Sequence, residues 1–310
     1  MKKKISLVTP TLNEEENIES FISKVREEME KLDYDYEHII IDNFSNDRTI
    51  EILRNIAKSD TKLKIILNSR NFGSVRSPFY GLMQTSGDAA ILINADFQDP
   101  IELIPQYIKK WKEGSDAVLN EKLNSEENKF IFFVRKQFYN FISKVSEVSL
   151  KKNVTGSGIY DKKVIERFKS INDPYPYLRG LIFELGFKVD TIKFNQPIRL
   201  KGKSKHNFFS MYDIAMLGIV KHSKLPLRLM TMFGFLLSIL SVGVGLFYFF
   251  YKIFFWNTFS PGVAPLVIGL FLIGAVQVFL IGLLGEYISV ILLHSRNLPL
   301  VEEKERINFD

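Results

Sequence analysis

Short apolar runs rich in β-branched residues alternate, over the first part of the chain, with stretches in which apolar residues recur every three or four positions. Ile5 to Thr9 reads as a strand, and Ile18, Phe21, Ile22, Val25 and Met29 then mark one face of a helix. His38 to Ile41 repeats the strand, and Ile50, Leu53 and Ile56 repeat the helix. The same reading predicts strands at Leu63 to Leu67, Ala89 to Ile93 and Asp116 to Leu119, with helices at Ser74 to Thr85 and Ile101 to Trp111. Such alternation predicts an α/β fold whose mainly parallel sheet carries helices on both faces, with the polar loops gathered at one edge.

The pattern changes near the C-terminus. Between Arg228 and Glu286 the only charged residue is Lys252. Leu229 to Tyr251 and Val263 to Gly285 are each long enough, at about 1.5 Å per residue, to cross about 30 Å of hydrocarbon, so two transmembrane helices are expected. Lys221, Lys224 and Arg228 precede the first and Arg296, Lys304 and Arg306 follow the second, whereas the connecting loop has only Lys252 beside Trp256. Basic residues stay on the cytoplasmic side, so both ends of the apolar region should lie there, in an inner (plasma) membrane crossed more than once. Phe208 to Val220 reads as an amphipathic helix at the membrane interface, and Phe130 to Leu150 as a second amphipathic stretch packed on its own domain. The expected division is a catalytic domain over 1–205, an interface helix over 206–228, a membrane domain over 229–285 and a cytoplasmic tail over 286–310. Ser241 and Gly245 form a small-xxx-small pair that would let two helices approach, as in a homo-oligomer.

Charge and composition narrow the function. The net charge is +6, yet the basic residues are not gathered with aromatics in a nucleic-acid-binding motif; a membrane lipid surface and phosphorylated substrates suit it better. With no cysteine there is no disulfide, thiolate metal site or cysteine nucleophile. Lys2 to Lys4 precede an apolar run of only Ile5 to Val8 before Pro10, too short for a signal peptide.

The candidate chemistry begins at Ile91 to Pro100, where an apolar run ends in Asn94, Asp96, Gln98 and Asp99. In an open α/β sheet ligands sit outside the carboxyl ends of the strands, and Mg²⁺ or Mn²⁺ bound with a nucleotide needs only one or two protein carboxylates. Asp96, with Asn94 and Gln98 beside it, would serve as that ligand set. The competing reading of the same residues is a turn in which Asn94 and Asp96 cap the helix starting near Ile101.

Val8-Thr9-Pro10-Thr11-Leu12-Asn13-Glu14-Glu15-Glu16-Asn17, Ile41-Asp42-Asn43-Phe44-Ser45-Asn46-Asp47-Arg48-Thr49, Arg70-Asn71-Phe72-Gly73 and Asn94-Ala95-Asp96-Phe97-Gln98-Asp99-Pro100 occur in that order. With Tyr177-Leu178-Arg179-Gly180-Leu181, Gly202-Lys203-Ser204-Lys205, Leu225-Pro226-Leu227-Arg228 and Leu284-Gly285-Glu286-Tyr287, they resemble the family 2 glycosyltransferases over nearly the whole chain. The branch they resemble is that of the dolichol-phosphate mannose synthases and bactoprenol glucosyltransferases. The resemblance implies a GT-A nucleotide-sugar domain, Rossmann-like, followed by membrane helices, which passes sugar to a polyprenyl phosphate on the cytoplasmic leaflet. It implies that Pro10, Leu12, Glu14 and Asp42 hold nucleobase and ribose, and that Arg70 and Asn71 lie near the nucleotide. It implies further that Asn94, Ala95, Asp96 and Gln98 form the metal and diphosphate segment. Arg135, Ser204 and Lys205 match positions near the acceptor phosphate.

The chain departs from that pattern at three places. The family often has two adjacent acids where Asp42-Asn43 stands, an acid where Asn94 stands, and Gly-Asp-Phe-Arg where Gly156-Ser157-Gly158-Ile159 stands. Three functions are compatible with this: transfer from a nucleotide sugar, UDP-linked, to a polyprenyl phosphate; transfer to a hydroxyl of a glycan or glycolipid, which would need a general base; and a sugar-nucleotide-binding protein that has lost catalysis.

Overall fold

The computed structural model describes residues 2–125, 151, 153–197, 216, 225–255, 263–296 and 298–309. Arg135, Ser204 and Lys205 lie outside them, as do the amphipathic stretch at Phe130 to Leu150, nearly all of the proposed interface helix and the loop around Trp256. The elements run β1 (Lys4–Thr11), α1 (Ile18–Glu30), β2 (Asp35–Asp42), α2 (Thr49–Ala57), β3 (Leu63–Asn68), α3 (Gly73–Met83), β4 (Ala89–Leu92) and α4 (Ile104–Lys112). They continue with β5 (Ala117–Ser125), β6 (Val154–Asp161), α5 (Lys162–Lys169), α6 (Leu178–Glu184), β7 (Val189–Gln196), α7 (Leu225–Phe254), α8 (Val263–Ser295) and β8 (Glu303–Ile307).

One sheet in the order β7-β5-β6-β4-β1-β2-β3-β8 joins all eight strands. Its centre, β4-β1-β2-β3, is parallel throughout, as the strand and helix alternation predicts. Period-2 side-chain alternation gives the sheet two apolar faces. Ile5 and Leu7 of β1, Ile40, Ile65 and Ile91 meet Phe21 and Val25 of α1 and Tyr107 and Trp111 of α4 on one face. Val8, Ala90 and Leu92 meet Phe79 and Leu82 of α3 and Phe168 of α5 on the other. Every apolar position that marks the α1 face is buried, and burying one such side chain is worth about 1.5–3 kcal/mol.

Three strands carry no signal in that reading. In β6, Gly158 has φ +142 and its absent Cβ would lie 2.1 Å from the Val118 carbonyl oxygen, so only glycine lets β6 lie against β5 at Leu119. The close approach inserts β6 antiparallel between β5 and β4 and delivers Ser157 to the end of β4. β7 extends the sheet beyond β5, parallel to it. At the opposite edge β8, EKERI, comes from the tail and pairs antiparallel to β3, with Ile307 opposite Ile65.

Among the described residues one helical stretch, Leu272–Ser295 of α8, is long and apolar enough to cross a membrane, and α7 contributes the shorter apolar stretch Pro226–Leu237. The α8 stretch runs ten residues past Gly285, because α8 continues without a break through Glu286 to Ser295. Leu270, Val278, Phe279 and Ile281 are exposed along it, as lipid-facing residues would be.

Candidate active site

The loops after β1, β2 and β4 leave the same edge of the sheet because these strands are parallel neighbours. Thr11 and Asp42 stand opposite each other at the last pair of β1 and β2. Asp42 is fully buried; its Oδ1 accepts from the Ser45 N–H (2.9 Å), and its Oδ2 from the hydroxyls of Ser45 (2.5 Å) and Thr11 (3.2 Å). Burial pushes the Asp42 carboxyl above the usual carboxylate range despite those three donors. Ser45 in turn accepts from the Asn13 N–H (2.8 Å), and Asn13 Oδ1 accepts from the Asn46 N–H (2.7 Å), so the first and second loops form one unit. Asn13 holds φ 52, a left-handed conformation that Asn adopts more readily than most residues.

Pro10 and Leu12 are half-buried at the end of β1. Glu14 is buried at the start of α1: its carboxylate accepts from Asn17 Nδ2 (2.8 Å) and its N–H donates to Thr49 Oγ1 (2.9 Å). Arg70 is exposed after β3, its guanidinium 4.0 Å from the Phe72 ring centroid. Asn71 accepts at Oδ1 from Asn43 Nδ2 and from the Gly73 N–H, each at 2.8 Å. Asn43 also donates from Nδ2 to the Gly73 carbonyl (3.4 Å) and accepts at Oδ1 from Asn68 Nδ2 (3.1 Å) and the Phe72 N–H (2.8 Å). An aspartate there could not donate, so the amide is what holds the 68–73 loop to the end of β2.

Beyond β4 the chain turns. Ala95 is buried, Phe97 takes φ 59 with its ring 5.4 Å from that of Phe21, and Asp96 Oδ1 accepts from the Gln98 N–H (3.1 Å). Asn94 is exposed, while Asp96 and Gln98 are half-buried. Of the four polar groups that close this apolar run, the most enclosed is Asp99, 4% exposed. Its Oδ2 accepts from Asn94 Nδ2 and from the Ser157 hydroxyl, each at 2.7 Å, and its Oδ1 accepts from Asn120 Nδ2 (3.1 Å). Ser157 Oγ accepts from Asn94 Nδ2 (3.2 Å), and Asn120 Oδ1 accepts from the Tyr107 hydroxyl (2.6 Å). Burial and then the Asp99 charge push the Tyr107 hydroxyl above its usual range, which keeps it a donor.

Asp42, Glu14, Asn94, Asp96 and Gln98 thus sit on loops of one edge, joined by the loop of Arg70 and Asn71. The roles of Asp99, Asn43 and Asn120 escape a reading by local pattern, since their partners come from distant strands and loops. Asn94, Asp96 and Gln98 offer oxygen donors in a half-exposed turn. No cluster of three His, Asp or Glu side chains that could hold a metal exists among the described residues; the half-exposed carboxylate of this turn is Asp96, Asp99 being buried, and Asn94 and Gln98 add neutral oxygens. That donor set fits Mg²⁺ or Mn²⁺ shared with a nucleotide diphosphate, and does not fit a cation caged by protein alone.

The model of the family described as glycosyl transferase family 2 matches residues 6–172. The bactoprenol glucosyl transferase of Shigella phage SfX is 34% identical over 96% of this chain and 97% of its own length. The prophage bactoprenol glucosyl transferase homolog of Escherichia coli K12 is 32% identical over 96% and 97%. Among solved structures, glucosyl-3-phosphoglycerate synthase from Mycobacterium tuberculosis, in complex with Mn²⁺, uridine diphosphate and phosphoglyceric acid, superposes with a TM-score of 0.50 at 17% identity, over 70% of this chain and 76% of its own. The fold is therefore GT-A-like, and the chain belongs to glycosyl transferase family 2.

Proposed function

We propose that this glycosyltransferase is inverting and metal-dependent, and moves a sugar from a UDP-linked donor to a polyprenyl phosphate on the cytoplasmic leaflet. The observation that carries the reading is the placement of Asp42 and the Asn94-Asp96-Gln98 turn at the carboxyl ends of β2 and β4, on either side of β1. A nucleoside at the first and a diphosphate at the second belong to one nucleotide. The UDP and Mn²⁺ of the mycobacterial synthase support the donor, and the bactoprenol relatives, aligned across the membrane helices, support the acceptor.

In this reading Pro10, Leu12, Glu14 and Asp42 hold the nucleoside, with Arg70 and Asn71 beside it. Asn94, Asp96 and Gln98 hold Mg²⁺ or Mn²⁺, and Ala95 keeps their turn packed on the core. Their oxygens would hold a divalent cation, which would supply positive charge opposite the nucleoside diphosphate. Arg135, Ser204 and Lys205, outside the described residues, draw in the lipid phosphate. A phosphate monoester has a second pKa of about 6 and is largely ionised before it attacks, so the missing acids at Asn43, Asn94 and Ser157 do not remove a needed base. The chain's task is to hold the acceptor oxygen in line with the anomeric carbon and keep water out.

Topology supports two crossings. β8, which follows α8, pairs with β3 of the domain that precedes α7, so the two share one side of any membrane. A single crossing by α8 would separate paired strands; α7 and α8 crossing together return the chain to its starting side.

The test is release of nucleoside diphosphate by the purified full chain, given UDP-sugars with and without polyprenyl phosphate. Release that depends on the lipid phosphate is expected. Equal release without it, or release only with a hydroxyl acceptor, contradicts the reading.

A further inference from the structure

Asn94 stands beside Asp96 with an amide where a carboxylate would present oxygen whichever way it turned. An amide has one end that helps a cation and one that repels it, so its orientation decides whether it is a ligand. Asn94 Nδ2 lies 2.7 Å from Asp99 Oδ2 and 3.2 Å from Ser157 Oγ. An ionised carboxylate only accepts hydrogen bonds, and the single Ser157 hydroxyl proton is already donated to that same Oδ2 at 2.7 Å. Both neighbours therefore require the nitrogen end of Asn94, which turns Oδ1 outward on the exposed side of the residue. Asp99 cannot itself turn away, because Asn120 Nδ2 donates to its other oxygen at 3.1 Å and the Tyr107 hydroxyl fixes the Asn120 amide by donating to Oδ1 at 2.6 Å. The five hydrogen bonds that link Tyr107, Asn120, Asp99, Ser157 and Asn94 are thus assigned without conflict, from a core helix to the surface turn.

We propose that Asp99 is a positioning residue: it locks the Asn94 amide with its oxygen facing outward, so that a neutral side chain serves as the second oxygen ligand beside Asp96. The inference rests on the metal reading of Asn94 and Asp96 above, and deepens it by naming what sets that ligand's orientation. Partners that orient a metal ligand commonly affect affinity about 10- to 100-fold when removed.

The experiment measures Mn²⁺ affinity of the full chain in detergent, by loss of the free-ion electron paramagnetic resonance signal in the presence of UDP. Asp99→Asn lets the Asn94 amide turn its NH₂ outward, and is expected to weaken Mn²⁺ binding about tenfold or more. The decisive variant is Asp99→Asn combined with Asn94→Asp. A carboxylate at 94 has oxygen at both ends and needs no orienting partner, so the double variant is expected to return to within roughly threefold of wild type. A purely structural role for Asp99 would leave the double variant as weak as Asp99→Asn. That outcome overturns the inference, as does Asp99→Asn binding Mn²⁺ within about twofold of wild type. If Asp99→Asn does not fold, Asp99→Ala replaces it, since it too removes the acceptor that holds the Asn94 nitrogen: a severalfold loss of affinity restored by Asn94→Asp supports the inference, and no loss overturns it. Asp96→Ala keeps the two readings apart. Unchanged affinity in Asp96→Ala removes the metal site, and the inference with it, whereas a loss there with none in Asp99→Asn removes only the inference.

Discussion

Arg76 of α3 donates from Nη2 to the carbonyl oxygen of Pro299 at 2.6 Å, tying the helix after the candidate nucleotide loop to the segment that leaves the apolar helix α8. The strap continues. The Ser69 N–H donates to the Glu302 carbonyl (2.9 Å), Arg306 reaches Gln84 (2.8 Å), and Asn308 Nδ2 lies 2.9–3.2 Å from the carbonyls of Ala57, Asp60 and Leu63. Asn308 has φ 60, which glycine also adopts without strain, so Asn308→Gly isolates the side chain's hydrogen bonds. It is expected to cost about 1–3 kcal/mol, read as a lower melting temperature of the solubilised protein. An unchanged melting temperature would show the strap to be incidental.

The loop held by Asn43 gives the second expectation. Asn43→Asp cannot donate to Asn71 Oδ1 or the Gly73 carbonyl, and it sets a carboxylate against both oxygens. The change is expected to raise KM for the nucleotide sugar by about 5- to 150-fold, corresponding to about 1–3 kcal/mol, with a smaller effect on kcat. Steady-state kinetics with the donor varied will show it; an equal fall in kcat with KM unchanged would place Asn43 elsewhere in the reaction.

Glu37 sets an acid limit on stability. It is buried, which by itself would raise its pKa, but Lys64, the Ser6 hydroxyl and the Ser86 N–H and hydroxyl outweigh burial and hold it at about 2, against an ordinary 4.5. A folded-state pKa below the unfolded one gives stability that is complete above about pH 4.5 and is lost as pH falls towards 2, here on the order of 3 kcal/mol. Melting temperature against pH should flatten across that window in Glu37→Gln. Parallel curves for variant and wild type would assign the acid loss to other groups.

The expected and observed structures part at identifiable residues. β1 to β4 were legible because each is a short apolar run closed by polar residues, and α1 because Ile18, Phe21, Ile22, Val25 and Met29 share one face. β6 was not, because Gly156 and Gly158 interrupt its apolar pattern, and only the close approach to Val118 explains Gly158. β8 was not, because an edge strand of Glu303, Lys304, Glu305 and Arg306 has no apolar run to announce it. In the site, Asp42, Asn94 and Asp96 were legible as polar residues ending strands. Asp99 was visible but mute, since its partners Ser157 and Asn120 are 58 and 21 positions away.

The cysteine-free background makes topology testable with single cysteines and a membrane-impermeant thiol reagent. Lys58 and Glu302 are exposed on the catalytic domain and the strap, and Asn257 lies in the loop between α7 and α8, outside the described residues. Asn257→Cys is expected to label in intact cells, and Lys58→Cys and Glu302→Cys only after lysis. Labelling of Lys58→Cys from outside would contradict a cytoplasmic donor site.

Mass spectrometry of the lipid product reports the bond that is made. The purified chain, given a UDP-sugar, Mn²⁺ and polyprenyl phosphate, is expected to yield a lipid heavier by one sugar residue, with a sugar-phosphate fragment that shows the bond to phosphate; Asp96→Asn should yield none. Unmodified lipid alongside free sugar, or an equal yield from Asp96→Asn, would contradict this assignment.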